Sequence, residues 1–224
     1  MAALALPAVA EDFTIVSKTR FGEKAGAQTV YLTPARMKTS GGGGDSIVDF
    51  ETGRMTFVDE VKKTYYVTSV EEMAAYAKRR EEQAKASGFN AQAFGALGDV
   101  TARKAGKTRK IAGYTCDEWV VAMGEALNVE VCAAPRLPVP SAYFDARKAA
   151  YAGMGPMGRH FGRVFEAMRK VRGYPLSLAM HVKTEGMKQE TLTEATEVRR
   201  GVIPAETFAV PADYTKKKSP FAAG

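Results

Sequence analysis

The chain has 224 residues, of which 46% are hydrophobic and 25% charged, with a formal net charge of +7. That balance excludes a disordered or fibrous polymer and fits one globular domain able to bury a core. No stretch approaches the roughly 20 consecutive apolar residues that a helical membrane span requires, so no transmembrane segment is expected.

Met1 to Ala10 (MAALALPAVA) carries no charge and closes on Ala8-Val9-Ala10, the small-residue tripeptide that precedes leader cleavage. Residues 1–10 therefore read as a signal-peptide remnant, which predicts a periplasmic or secreted protein of a bacterial cell envelope. Residues 11–215 read as a single domain and residues 216–224 as a flexible tail. Asp12 to Phe21 and Ala27 to Lys38 alternate apolar and polar residues, the period of half-buried strands. Thr39 to Ser46 holds four consecutive glycines and reads as a mobile hairpin connection. It lacks the Lys-Ser/Thr that follows a phosphate loop. Ile47 to Glu51, Arg54 to Asp59 and Lys63 to Thr68 are short strands divided by turn residues, the pattern of an antiparallel meander.

Ser69 with Glu72 three residues on forms a capping-box signature, opening a polar helix to about Ala86 that Ser87-Gly88 stops. A short helix is expected over 91–97, and strands resume near Val100. Cys116 and Cys132 lie in two β-rich runs, Tyr114 to Ala122 and Leu127 to Ala133. Folding these as a hairpin about Gly124 sets the cysteines opposite each other, within disulfide reach, and a disulfide fits an oxidising compartment. After Pro135 to Pro140, Ser141 caps a helical region from Ala142 to about Val171, interrupted at Gly153-Met154-Gly155-Pro156 because proline cannot donate to the preceding turn. Strands Leu176 to Thr184 and Lys188 to Arg199 follow, then an irregular segment from Ile203 to Tyr214.

Catalysis finds no support in these residues. His160 and His181 are the only histidines, and neither belongs to a nucleophile–base–orienter pattern. Neither G-x-S-x-G nor H-E-x-x-H occurs, and the acidic residues are scattered. The chain is expected not to be an enzyme and to need no cofactor. The basic clusters Lys78-Arg79-Arg80, Thr101 to Lys110 and Lys216-Lys217-Lys218 have no interleaved aromatics, so nucleic acid is not an expected partner. On an exported protein such a face meets anionic headgroups instead.

Met154, Met157 and His160 recur at three-residue spacing, and thioethers with an imidazole suit Cu(I). The same segment continues through Phe161, Phe165 and Met168. A Met- and Phe-rich helix hinged at Gly and Pro serves either as core packing or as a lid over an apolar cavity. On the second reading Met154, Met157, Phe161, Phe165 and Met168 line a ligand site.

Three sets of residues carry a family resemblance. They are Lys62-Lys63-Thr64-Tyr65 ahead of Ser69-Val70-Glu71-Glu72-Met73, Lys110-Ile111-Ala112-Gly113-Tyr114-Thr115-Cys116 with Glu130-Val131-Cys132-Ala133, and Ile203-Pro204 with Phe208, Pro211 and Tyr214. Together they resemble an uncharacterised family of secreted bacterial domains of unknown function, itself similar in layout to the LolA-like lipoprotein carriers. The resemblance implies an α+β fold, a curved antiparallel half-barrel sheet with helices covering its concave face, and a concave face that accommodates acyl chains.

The expected function is that of an exported periplasmic protein that binds a lipid or acylated peptide without catalysis, with a transient envelope partner. The alternative is a cell-envelope interaction or stress protein whose core is filled by its own side chains. Cu(I) binding through Met154, Met157 and His160 is the third reading.

Overall fold

The computed structural model describes residues 12–42, 44–87, 98–152, 156–184 and 187–222. The segment 1–10 read as a leader remnant, the short helix expected over 91–97 and Met154 lie outside the described residues. Twelve strands form one sheet in the order β12-β6-β5-β4-β3-β2-β1-β11-β10-β9-β8-β7. The first half is a meander of β1 (Phe13–Phe21), β2 (Lys24–Leu32), β3 (Arg36–Gly41), β4 (Gly44–Asp49), β5 (Arg54–Asp59) and β6 (Thr64–Ser69). Helix α1 (Val70–Ala86) leads to β7 (Val100–Ile111), β8 (Tyr114–Met123) and β9 (Leu127–Ala134). Helices α2 (Ser141–Ala152) and α3 (Pro156–Met168) precede β10 (Tyr174–Thr184) and β11 (Met187–Arg200), and β11 returns to pair with β1. A 3₁₀ turn (Ala205–Phe208) and the short β12 (Thr215–Lys216) complete the chain. Every pairing is antiparallel except that of β12 with β6.

Burial follows the alternation that the sequence carries. Phe13, Ile15 and Ser17 of β1 point to one face and are nearly inaccessible, as are Val30 and Leu32 of β2 and Val129 and Val131 of β9. One face of the sheet therefore carries the apolar residues, as in antiparallel sheets that bury a single side. Against it lie Met73 from α1, Tyr143, Phe144, Ala146 and Ala149 from α2, and Val164, Phe165 and Met168 from α3, all in the same core. The three helices pack on one another, with α1 resting on β6 and α3 on β7 and β8.

Several expectations need correction. Ala27 to Lys38 is two strands, because Pro34 breaks the ladder and Thr33 closes a turn on Arg36 through its amide and hydroxyl. The glycine-rich connection is short, since β3 and β4 stay paired out to Gly41 and Gly44. A Cβ on Gly44 would sit 2.3 Å from the Val58 carbonyl oxygen, so glycine is what lets β5 approach this end of β4. Cys116 and Cys132 are joined in a disulfide with Cα atoms 5.3 Å apart, but they are not directly opposed. The turn takes three residues, 124–126, which sets Met123 against Leu127 and Glu118 against Cys132. Cys116 thus reaches Cys132 on the diagonal, one residue beyond the end of the β8–β9 ladder, where the strand is free to converge.

The tail expected to be flexible from 216 is docked instead. Lys217 donates its amide to the Tyr65 carbonyl, and the Phe221 ring lies 5.2 Å from Tyr76 and 6.2 Å from Tyr66. Arg79 donates to the Phe221 carbonyl at 3.0 Å, closing an aromatic contact that periodicity cannot anticipate.

Candidate functional site

Helix α2 places Tyr143, Arg147 and Tyr151 four residues apart, on one face of successive turns. Its neighbour α3 is held against it by Arg169 at the end of α3. That guanidinium donates to the Ser141 carbonyl and to Asp145, and it pairs with Glu166 of its own helix at 3.0 Å. Glu166 also meets Lys148 at 3.4 Å. Both acidic side chains of this helical hairpin are thereby committed. Asp145 lies on the opposite side of α2 from the Tyr143–Arg147–Tyr151 stripe, which is left with a cation and three phenols when Tyr174 is added from the start of β10.

The stripe faces inward. Tyr143 and Tyr174 are each 4% exposed, with ring centroids 6.3 Å apart. Tyr151 packs on Phe165 at 4.9 Å and on Phe161 at 5.6 Å. The Arg147 guanidinium carbon stands 5.4 Å from the Tyr143 ring centroid. Its Nε is sealed from solvent and has no hydrogen-bond partner, although the residue as a whole keeps some accessible surface. The groups that act on its charge are phenols, namely those of Tyr143, Tyr174 and Tyr151. Burial alone would push the guanidinium pKa down, and those three neighbours outweigh it so that the net direction is up. Burial pushes the Tyr174 phenol up, reinforced by Tyr143 and opposed by Arg147. Both groups therefore remain hydrogen-bond donors at neutral pH, one charged and one neutral.

Taking a guanidinium out of water costs several kcal/mol, and one tyrosine face offsets about 2 kcal/mol of that at best. Buried cations in proteins are ordinarily paired with a carboxylate. Among the described residues, no carboxylate pairs with Arg147.

Two open clefts lie elsewhere. One of about 640 Å³ is lined by Tyr114, Thr115, Asp117, Arg136 and Arg200 at the β7–β8 turn. In it Arg200 donates to the Tyr114 hydroxyl at 2.9 Å and stacks over Phe13 and Tyr114. The other, of about 280 Å³, lies between the β4–β5 turn and the starts of α1 and α2. Asp49 at its rim accepts hydrogen bonds from the Thr52 amide and hydroxyl. Partial burial works against its ionisation, and those bonds together with Arg36 prevail, holding its carboxyl below the usual range.

The residues proposed from sequence fall unevenly. Phe165 and Met168 are 6% and 2% exposed and belong to the core, while Phe161 packs against it. Met157 and His160 lie on α3, and Met154 lies outside the described residues. Phe161, Phe165 and Met168 line neither described cleft. Sequence reading missed Arg147, Tyr143 and Tyr151, although a Tyr-x-x-x-Arg-x-x-x-Tyr stripe inside a helix rich in alanine was visible in the chain.

Solved structures are similar to this chain. An uncharacterised conserved protein from Thermus thermophilus superposes with a TM-score of 0.52 at 8% identity, covering 94% of this chain and 92% of that one. A chain of the Pseudomonas aeruginosa MucA/MucB complex gives 0.45 at 12% identity, covering 92% of this chain and 57% of that one. MucB in complex with MucA(peri) gives 0.45 at 10% identity, covering 92% and 56%. This chain spans little more than half the length of those two. A comparison with curated proteins finds no match. The family comparison is decisive where these are not: residues 22–214 match DUF4412, a domain of unknown function, and the chain belongs to that family.

Proposed function

We propose that this protein binds an apolar ligand, a lipid or an acylated peptide, between its helices and its sheet, and does so without catalysis after export. The observation that carries this reading is how far the helices reach. Helix α1 meets β6 and α3 rests on β7 and β8, so the three described helices reach from one end of the sheet to the other. Eleven strands laid flat at ~4.8 Å spacing would extend about 50 Å, whereas three helices side by side at ~10 Å cover about 30 Å. A sheet curved around the helices reconciles the two widths, and bulges at Val16–Ser17, Lys104–Thr108 and Pro175–Ser177 supply local bending. These widths and bulges support a half-barrel with helices in its concave face, and on this reading an acyl chain enters between the helices and the apolar face of the sheet. The Cys116–Cys132 disulfide supports action in an oxidising compartment such as the periplasm.

The competing reading, an envelope interaction protein with a filled core, is favoured by how completely Val164, Phe165 and Met168 are buried. Native mass spectrometry and organic extraction of protein purified from the envelope distinguish the two. Co-purifying lipid and saturable binding of a fluorescent fatty acid are the expected results. Their joint absence would leave the filled-core reading standing.

A further inference from the structure

We infer that the ligand is an anionic amphiphile, a single acyl chain ending in an oxyanion, and that Arg147 receives its head group. The inference deepens the apolar-ligand reading and rests on it. Its starting point is a cation that no carboxylate of the described residues pairs with. Asp145 and Glu166, the acidic residues of the same helical hairpin, are taken by Arg169. What surrounds Arg147 is aromatic, with Tyr143 beneath the guanidinium and Tyr151 leading to Phe161 and Phe165.

This arrangement has two chemically distinct ends. At one, a guanidinium with fork geometry lies beside the phenols of Tyr143 and Tyr174, and the latter stays protonated because burial disfavours its anion. A planar, delocalised cation with neutral O–H donors beside it suits the two or three oxygens of a carboxylate or phosphate. At the other end the rings of Tyr151, Phe161 and Phe165 form an apolar wall. A carboxylate or phosphate carrying an alkyl chain satisfies both ends together. An uncharged lipid satisfies only the second and leaves the Nε of Arg147 as it stands, sealed from solvent and unpartnered.

Titration calorimetry with decanoate, decyl phosphate and decanol on the unmodified protein tests the idea without a variant. Decanoate, decyl phosphate or both should bind at least about tenfold more tightly than decanol, the scale of one charged hydrogen-bonded contact. The difference between the two anions identifies carboxylate or phosphate as the head group. Arg147→Met keeps the length and packing of the side chain and removes its charge. In that variant the preference for the anions over decanol should be lost, while Arg147→Lys should retain part of it. Equal affinity for decanol and both anions in the unmodified protein would overturn the head-group assignment and leave apolar binding intact. So would undiminished anion binding in Arg147→Met. If none of the three binds the unmodified protein, the apolar-ligand reading itself fails and takes this one with it.

Discussion

Gly173 shows how a single backbone position sets up the inward stripe. Its φ is +93°, and a Cβ built there would fall 1.9 Å from the Ala134 carbonyl oxygen. Glycine is therefore what lets the chain turn from α3 into β10 against the end of β9, delivering Tyr174 to Tyr143 and Arg147. Gly173→Ala should destabilise the protein by about 2 kcal/mol or more, read as a lower urea midpoint with an unchanged m-value. Tyr174 itself makes a pH prediction. Its folded pKa is raised above the ordinary 10.0 of tyrosine, with burial the main cause. A raised pKa means the folded state favours the protonated phenol. The contribution is therefore fully present below about pH 10 and is lost as pH rises through the folded value. Tyr66 shifts in the same direction, also by burial. Melting temperatures followed from pH 8 to beyond pH 11 should fall, and Tyr174→Phe should make that fall shallower, whereas an unchanged slope would show that the phenol carries none of it.

At the level of elements, the start of α1 illustrates a motif that is only half realised. Ser69 accepts the Glu72 amide at 3.1 Å, as a capping box requires, but the Glu72 carboxylate accepts from the Thr68 hydroxyl at 2.8 Å instead of turning back to the Ser69 amide. Glu71 accepts from its own amide and then from the Ser69 hydroxyl, and these bonds hold its carboxyl below the usual range. Because the cap satisfies an orphan amide of a helix with only Met73 fully buried, Ser69→Ala should cost about 1 kcal/mol in chemical denaturation. The β8–β9 hairpin is stapled across a sequence separation of 16 residues. A loop of that size predicts about 3 kcal/mol of stabilisation in the chain-entropy model. Urea titrations with and without reductant measure it directly, and coincident curves would contradict the estimate.

Taken as a whole molecule, an open sheet has two edges that invite pairing with other chains. The β7 edge carries Arg103, Lys104, Lys107, Arg109 and Lys110, a density of charge that opposes strand addition. Lys104 and Arg109 are drawn across to Asp117 and Glu118 on β8. The β6 edge is covered by β12, whose Thr215 amide bonds the Lys63 carbonyl at 3.0 Å, with Lys63 and Asp213 paired alongside at 2.8 Å. Removing residues 215–224 uncovers β6 and strips Phe221 from Tyr66 and Tyr76. The truncated protein should melt at a lower temperature and show concentration-dependent self-association in light scattering, where the full chain does not.

The sequence by itself determined most of the strands, though not the division of Ala27 to Lys38 into β2 and β3 nor β12, and it determined the starts and stops of α1, the break at Pro156 and the cysteine pairing. These are written in local terms: a period of two, a capping serine, a proline, and two cysteines in consecutive β-rich runs. It did not determine the hairpin register, because centring the turn on Gly124 or letting it take three residues leaves the same faces buried and shifts the pairing by two. Nor did it determine the docking of Phe221, the return of β11 to β1, or the meeting of Arg147 with Tyr174 across 27 residues of chain. Those contacts join segments remote in sequence, and their energies depend on which surfaces the folded sheet brings together. That is why a stripe of two tyrosines and an arginine on α2 reads as ordinary helix surface in the chain and becomes a cation enclosed by phenols only once the helices lie on the sheet.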